Sequence, residues 1–170
     1  MTPPLILRQA EIRELLDPAS CIQAVEEAFT AYASGRAELP GVIHLDVPES
    51  RGEIHIKAGH LRGGPAWAVK IASGFPGNPE RGMPANDGMV LVFDATTGAL
   101  AALLLDQGFI TDIRTGAAGA VAAKHLARRE LGAVAVIGTG AQARFQIDLL
   151  SRVRKFREVR VWGRHPERAR

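Results

Sequence analysis

Ala133-Val-Ala-Val-Ile137, followed at once by Gly138-Thr-Gly140-Ala-Gln-Ala143, is the stretch that decides the fold. The apolar run is typical of a buried strand, and the glycines stand where the chain must turn tightly and let a pyrophosphate approach the backbone. Apolar side chains at helical spacing follow from residue 141 to about residue 155, and Glu158-Val-Arg-Val-Trp162 predicts a second strand. A G-x-G-x-x-A motif between a strand and a helix predicts dinucleotide binding, with the phosphate at the helix N-terminus.

Residues 131–170 contain only the first β-α-β unit of a doubly wound domain, which needs several more strands. We therefore predict an incomplete Rossmann NAD(P)-binding domain over 131–170, and we expect the chain to be the front part of a larger protein. Residues 109–130 predict a connecting helix. Its central part, Ile110–Leu126, is rich in Gly and Ala, and such small side chains let a neighbouring backbone pack closely.

Residues 1–108 predict an α+β domain with a mostly antiparallel sheet. Because a β-α-β unit of the Rossmann type follows it, the predicted fold class of the chain is α/β. A short strand at Leu5–Leu7 and a helix over Gln9–Leu16 precede a second helix, which Asp17-Pro18 starts and Gly35 ends. Apolar runs bounded by Gly, Pro and Asn then predict five strands: Val42–Val47, Glu53–Leu61, Ala66–Ser73, Met89–Asp94 and Leu100–Leu105. The loop Gly74–Gly88 is too long for a simple connector, which is typical of a functional loop.

Composition excludes several classes of protein. With 46% hydrophobic and 23% charged residues the chain is globular in type, and its single cysteine, Cys21, excludes an internal disulfide and favours a reducing compartment. The sequence shows neither a signal peptide nor an apolar run of the about 18–20 residues that cross a bilayer. We expect a cytoplasmic protein with no membrane partner.

The net charge of +3 is unevenly spread, because positions 152–170 hold eight Lys and Arg residues against two glutamates. A basic tail can bind nucleic acid, but neither an aromatic platform nor a recognised nucleic-acid motif accompanies this one. We expect no nucleic-acid partner.

Lys70 and Arg114 are the candidate anion-binding residues. Lys70 stands inside the apolar strand Trp67-Ala-Val-Lys-Ile71, where a lysine is costly to bury unless it meets an anion or changes its protonation state. The alternative is that this face of the strand is simply hydrated. Arg114 is predicted in the first turn of a helix that Thr111 caps, where it would oppose the helix dipole unless an anion binds there. The alternative is an ordinary ion pair with Asp112 or Asp106.

The remaining candidate functional residues are histidines, a lysine, and an arginine that follows the second dinucleotide strand. His55 and Lys57 alternate with Ile54 and Ile56 and so share one face, whereas His44 is isolated among apolar residues. The spacing of Cys and His predicts no metal site, and the sequence has no G-x-S-x-G nucleophile motif. After the second dinucleotide strand comes Arg164, where NAD sites usually have an acidic residue. Arginine there suits the 2′-phosphate and favours NADP over NAD.

Assembled, these pieces resemble the ornithine cyclodeaminase/mu-crystallin family. Their order and spacing agree over about Pro40–Arg164. The matching stretches are Val69-Lys-Ile71, Gly74-Phe-Pro-Gly-Asn78, Gly82-Met-Pro84, Asp94-x-x-Thr-Gly98, Ile110-Thr-Asp-Ile-Arg-Thr-Gly-Ala117, Ile137-Gly-Thr-Gly-Ala-Gln-Ala143 and Val161-Trp-x-Arg164.

The resemblance implies a substrate-binding and dimerisation domain over 1–108, a Rossmann domain, and a homodimer. It implies that Lys70 and Arg114 hold the substrate carboxylate and assist proton movement near the nicotinamide. It implies that Gly140-Ala-Gln142 contacts the cofactor. With the residues of the glycine motif, the start of the connecting helix and the end of the second strand, the predicted cofactor-binding residues are Arg114, Thr115, Gly138, Gly140, Ala141, Gln142 and Arg164.

The chain departs from the family pattern at several points. Several members of the family have a further carboxylate-binding arginine, which would fall near Val42, and this chain has no arginine there. Lys57 on the next strand is our candidate to replace that charge as a substrate-binding residue. A threonine that touches cofactor in some members corresponds to Ala85. The resemblance places the family's catalytic aspartate beyond residue 170.

The activity implied is hydride transfer between the α-carbon of a small amino or imino acid and NAD(P). In a cyclodeaminase the side-chain amine of the substrate attacks the resulting imine, ammonia leaves, and the hydride returns from the cofactor. In a reductase or dehydrogenase the hydride does not return, so the substrate and the cofactor undergo a net redox change. Two alternatives stay open: an NADPH-binding, non-catalytic protein of the crystallin type, and an inactive fragment.

Overall fold

A computed structural model describes residues 3–169, and the chain divides into two compact units. The first unit takes in the chain up to Leu15 and Ala28–Phe109, and the second takes in Leu16–Glu27 and the chain from Ile110 onward. The second helix therefore contributes its N-terminal part to one unit and its C-terminal part to the other. A structural boundary at Phe109 lies close to the end of the predicted first domain.

The first unit is built on one mixed sheet. Its elements in chain order are β1 (Leu5–Arg8), α1 (Gln9–Leu15), α2 (Pro18–Ala33), β2 (Ala37–Glu38), β3 (Ile43–Val47), β4 (Gly52–Leu61), β5 (Ala66–Gly74), β6 (Asn86–Asp94) and β7 (Leu100–Leu105). The seven strands run in the order β1-β7-β6-β5-β4-β2, and β3 also pairs with β4. Every pairing is antiparallel except that of β1 with β7, so the predicted mostly antiparallel sheet is confirmed.

The register gives the sheet two different faces, because cross-strand partners project to the same side. On one face Trp67 stacks on Phe93, with ring centroids 4.1 Å apart, and the β4 residues Ile54 and Ile56 lie on that side too. The other face carries polar side chains from β3, β4 and β5, among them Lys70. We call this side the polar face.

Two of the predicted boundaries were wrong. β6 begins at Asn86 rather than Met89, because Asn86, Asp87 and Gly88 pair with the end of β5, which shortens the predicted loop. Helix α3 (Phe109–Leu126) begins two residues before Thr111. Thr111 is therefore not the cap, and Arg114 lies in the second turn rather than the first, where opposition to the helix dipole is weaker.

Two helices of the second unit, α3 and α4, pack closely together. Besides the N-terminal part of α2, the helices and strands of this unit are α3, β8 (Ala133–Ile137), α4 (Ala141–Val153) and β9 (Glu158–Trp162), with β8 and β9 parallel. A Cβ at Gly116 would lie 2.8 Å from the carbonyl oxygen of Phe145, so only glycine permits this approach. Ala117 and Ala120 of α3 and Leu149 of α4 are fully buried. The small side chains of α3 thus allow the close backbone contact that the sequence predicted.

Local polar contacts fix helix α2. The Asp17 carboxylate accepts hydrogen bonds from the backbone N–H and the hydroxyl of Ser20, both 2.9 Å long, as the predicted start at Asp17-Pro18 requires. These bonds lower the pKa of Asp17. Glu26 pairs with Lys124 (2.7 Å) and His125 (2.5 Å), and these hydrogen bonds lower its pKa.

No helix within residues 3–169 has both the length and the apolar character to cross a membrane.

Candidate functional site

Lys70 and Lys57 occupy directly opposite positions on the polar face. They are register partners on β5 and β4, and Val90 of β6 is the partner of Lys70 on its other side. Lys70 is half-buried and Lys57 is exposed. Like charges at opposite positions of a sheet are unfavourable, and an anion held between them relieves the repulsion. The arrangement is therefore suited to binding a carboxylate.

Val42 immediately precedes strand β3. Strand β3 begins one residue later, with Ile43 opposite Ile56 of β4. Continuing that register by one step would bring Val42 opposite Lys57. The position where the family resemblance expects an arginine would then lie opposite the position where this chain has Lys57. This agrees with Lys57 as the replacement charge, which stays a prediction.

The glycine turn after β8 presents an open helix N-terminus. Gly138 has φ of +122°, a conformation that favours glycine, and its N–H donates to the carbonyl oxygen of Trp162 at 2.8 Å. Gly140 is the N-cap of α4, and no side chain in the described part of the chain caps it. A Cβ on Gly140 would meet no heavy atom of residues 3–169 within 4 Å. Among the first N–H groups of α4, that of Ala143 donates to the carbonyl oxygen of Gly140 at 3.1 Å. The N–H groups before it are accessible to an anion such as a pyrophosphate.

Arg164 lies at the same edge of the β8–β9 pair as this turn. The parallel register sets Ile137 beside Trp162, so the two strands end side by side. Gly163 follows, and a Cβ there would come within 2.6 Å of the Thr139 side chain. This close approach holds the segment before Arg164 against the glycine turn. Arg164 itself is exposed and available to a ligand bound at that edge.

Hydrogen bonds from α4 hold the start of α3. The Gln142 amide donates to the Asp112 carboxylate at 2.8 Å, and the Gln146 amide donates to the carbonyl oxygen of Thr115 at 3.1 Å. The Thr115 hydroxyl donates to the carbonyl oxygen of Thr111 at 2.6 Å. Arg114 and Thr115 are thereby fixed alongside the first turns of α4, with Arg114 exposed. The Gln142 side chain serves this contact between helices, and its role toward cofactor stays a prediction.

The predicted site residues fall into two groups. Lys57 and Lys70 share the polar face of the first unit. The remaining candidates belong to the second unit, where the β8–α4 turn, the end of β9 and the start of α3 hold them: Arg114, Thr115, Gly138, Gly140, Ala141, Gln142 and Arg164.

Sequence reasoning missed a second cluster on the polar face. His44 and His55 are register partners on β3 and β4, and their Nδ1 atoms lie 3.3 Å apart. Asp46 and Glu53 form the next pair on the same face. The four residues lie too far apart in sequence to make a recognised metal motif, and only the strand register brings them together.

Comparison with known proteins supports the family resemblance. The family model for the ornithine cyclodeaminase/mu-crystallin family matches residues 3–170. The chain belongs to this family.

An uncharacterized cyclodeaminase of Sinorhizobium fredii, one relative within the family, is 42% identical over 161 residues, which cover 94% of this chain and 49% of that protein. Among solved structures, the Δ1-pyrroline-2-carboxylate reductase of Thermococcus litoralis in complex with NADH and L-proline matches with a TM-score of 0.91 at 35% identity, covering 97% of this chain and 51% of that one. An archaeal alanine dehydrogenase dimer with bound NAD matches with a TM-score of 0.90, also at 35% identity, covering 98% and 50%.

The chain spans about half the length of the curated relatives that it matches. The family relation and the fold class are thus established for this half, and both agree with the expectations from sequence.

Proposed function

We propose that the whole protein is an NAD(P)-dependent enzyme that acts at the α-carbon of a small amino or imino acid. The observation that carries this proposal is the half-buried Lys70 directly opposite Lys57 on the polar face. Such a pair is suited to the α-carboxylate that these substrates share. The relatives include a cyclodeaminase, a Δ1-pyrroline-2-carboxylate reductase and an alanine dehydrogenase, all of which are named for amino- or imino-acid chemistry.

The second unit fits a nicotinamide dinucleotide. The uncapped N-terminus of α4 and the open space at Gly140 suit the pyrophosphate, and two of the structural neighbours hold NADH or NAD. Gly138, Gly140, Ala141 and Gln142 would hold the cofactor, together with Arg114 and Thr115 of α3. Arg164 at the end of β9 supports a preference for NADP, since its guanidinium can pair with the 2′-phosphate.

When bound, the cofactor supplies the acceptor or donor of hydride at C4 of its nicotinamide ring. Lys70 would bind the substrate carboxylate, and the family resemblance implies the same role for Arg114. Oxidation removes a hydride from the α-carbon and a proton from the amino nitrogen, which leaves an imine. Lys70 holds the carboxylate and assists the proton transfer. Reduction of an imino acid is the same step reversed, and a cyclodeaminase uses both directions in turn.

We further propose a homodimer formed through the first unit. The apolar face of the sheet exposes Ile43 (60%) and Leu45 (55%) on β3, which is more apolar surface than an edge strand tolerates in isolation. The archaeal alanine dehydrogenase neighbour is described as a dimer.

The proposal is tested on the protein carrying the additional length that its relatives have. NADPH and NADH oxidation is followed with cyclic imino acids and with keto acids plus ammonia. Lys70→Ala should lower kcat/KM by at least about 100-fold while the fold is kept, because the charge supports the reacting centre. Arg114→Lys should raise KM by about 10-fold or more, since lysine cannot form the bidentate contact.

Lys155→Ala is the matched control, because Lys155 is an exposed lysine beyond α4. Its kinetics should equal those of the unaltered protein. Near-normal kcat/KM in Lys70→Ala would exclude the proposed role of Lys70.

A further inference from the structure

Four metal-ligating side chains project from one end of the polar face. β3 and β4 pair in antiparallel register, with His44 opposite His55 and Asp46 opposite Glu53. Residues two apart on a strand point to the same side, and so do register partners. The alternation of the two strands therefore gathers two imidazoles and two carboxylates. We call these four residues the histidine cluster.

The distances within the histidine cluster match those of a bound ion. The two Nδ1 atoms lie 3.3 Å apart, and the rings are tilted by 59° with centroids 4.6 Å apart. Ligand nitrogens of a tetrahedral zinc site, each about 2.0–2.1 Å from the metal, are separated by about 3.3–3.4 Å. One ligand atom from each of His44, Glu53 and His55 can be chosen so that all lie within 4.8 Å of one another. Little movement is needed to close the three ligands on one ion.

The carboxylates set the orientation of the rings. Asp46 Oδ1 lies 3.0 Å from His44 Nε2, so the aspartate accepts the Nε2–H and leaves a lone pair on Nδ1. This is the carboxylate–histidine arrangement that supports metal-ligating imidazoles. Glu53 Oε2 lies 3.6 Å from His55 Nε2, which is too long for a hydrogen bond, so this carboxylate can turn toward an ion. Without an ion, the His55 Nδ1–H can donate to His44 Nδ1 across this 3.3 Å; in its other tautomer His55 presents a second Nδ1 lone pair, and the two Nδ1 atoms can then bind one cation.

We propose that His44, His55 and Glu53 bind one divalent transition-metal ion of the zinc class, with Asp46 as a positioning residue. Two imidazole nitrogens favour zinc, copper or nickel over magnesium or calcium, which prefer oxygen. Three protein ligands leave a further position for water or another ligand. The site is within reach of solvent: His44 is 44% exposed, and Asp46 and Glu53 line a cavity of about 630 Å³.

The three proposed ligands do not include Lys57 or Lys70, the residues proposed to bind the substrate carboxylate. Zinc binding is also measured without turnover, so this proposal and the proposed function are tested separately. The test is calorimetric titration of zinc into the untagged, metal-stripped 170-residue chain at about pH 7.5. We expect one zinc ion per chain with saturation below about 100 µM. Cobalt titrated in place of zinc should give the visible absorption of a tetrahedral site.

Matched variants assign the ligands. His44→Gln and His55→Gln should each weaken zinc binding by at least about 10-fold, and Asp46→Asn should weaken it by about 10-fold through the loss of ring orientation. His60→Gln is the control: this histidine lies on β4 but on the opposite face, 3.2 Å from the carbonyl oxygen of Ala66, and its loss should leave affinity unchanged.

Circular dichroism checks that each variant is folded. Because the histidine cluster is on the surface, we expect at least one of the two histidine variants to fold. Absence of a saturable site below about 100 µM would overturn the proposal. Binding that is equally strong in every folded histidine-cluster variant would overturn it too.

Discussion

Replacing Gly116 by alanine tests the close contact of α3 with α4, on which the placement of Arg114 and Thr115 depends. The added Cβ would lie 2.8 Å from the carbonyl oxygen of Phe145 and 3.0 Å from its carbonyl carbon, against at least 3.4 Å in ordinary contacts. The helices must therefore separate by about 0.6 Å, and overpacking of this kind costs about 1–3 kcal/mol. The higher helix propensity of alanine offsets about 1 kcal/mol of this loss in the free energy of unfolding. We expect a net loss of about 1 kcal/mol in the free energy of unfolding.

Urea unfolding of the 170-residue chain, followed by far-ultraviolet circular dichroism, measures this difference. Gly132→Ala is the matched control, because a Cβ there meets no heavy atom within 4 Å in the part of the chain that the structure describes. Its stability should stay within about 0.5 kcal/mol of the original. If Gly116→Ala is stabilised by the about 1 kcal/mol that helix propensity alone provides, the contact between the helices is looser than the structure shows and the reasoning fails.

Three further changes address the cofactor site and a surface turn. Gly140→Ser keeps a good N-cap, and its Cβ would meet no heavy atom of residues 3–169 within 4 Å. It should therefore leave the melting temperature of the full-length protein nearly unchanged but weaken NADPH binding by at least about 10-fold, measured by fluorescence titration; equal affinity would place the pyrophosphate elsewhere. Arg164→Asp should shift the ratio of kcat/KM from NADPH toward NADH, and an unmoved ratio would mean that Arg164 does not contact the 2′-phosphate. Hydrogen bonds from Thr97 and Thr96 lower the pKa of Asp94. Its stabilising effect is therefore present above its unfolded pKa of about 3.9 and is lost as the pH falls through the folded value, so Asp94→Ala should destabilise the chain at neutral pH and lose that effect in acid.

The sequence was sufficient for most elements because their signals are local. The strand, glycine turn and helix at Ala133–Val153 were predicted nearly to the residue, since apolar runs and glycines with special φ define them. The start of α3 was not predictable, because it depends on a left-handed Gln107, whose N–H bonds the carbonyl oxygen of Gly88 on a distant strand. Such a conformation is uncommon for glutamine and needs the tertiary contact.

The candidate site was predictable only in part, for a similar reason. Lys70 stood out because a charge interrupts an apolar strand, but its position opposite Lys57 depends on the register of β4 with β5. The pairing of His44 with His55 likewise depends on how β3 turns back onto β4. Register is set by turn geometry and by burial of one face, which residue spacing in a single strand does not report.

The central claim is that a hydride moves between the cofactor and the α-carbon of an amino or imino acid. The most direct test supplies the full-length protein with a cyclic imino acid and a nicotinamide cofactor doubly deuterated at C4, and then locates the label in the product by mass spectrometry and NMR. We predict one deuterium at the α-carbon of the amino acid. Cofactor oxidation that leaves the α-carbon without deuterium would contradict the account.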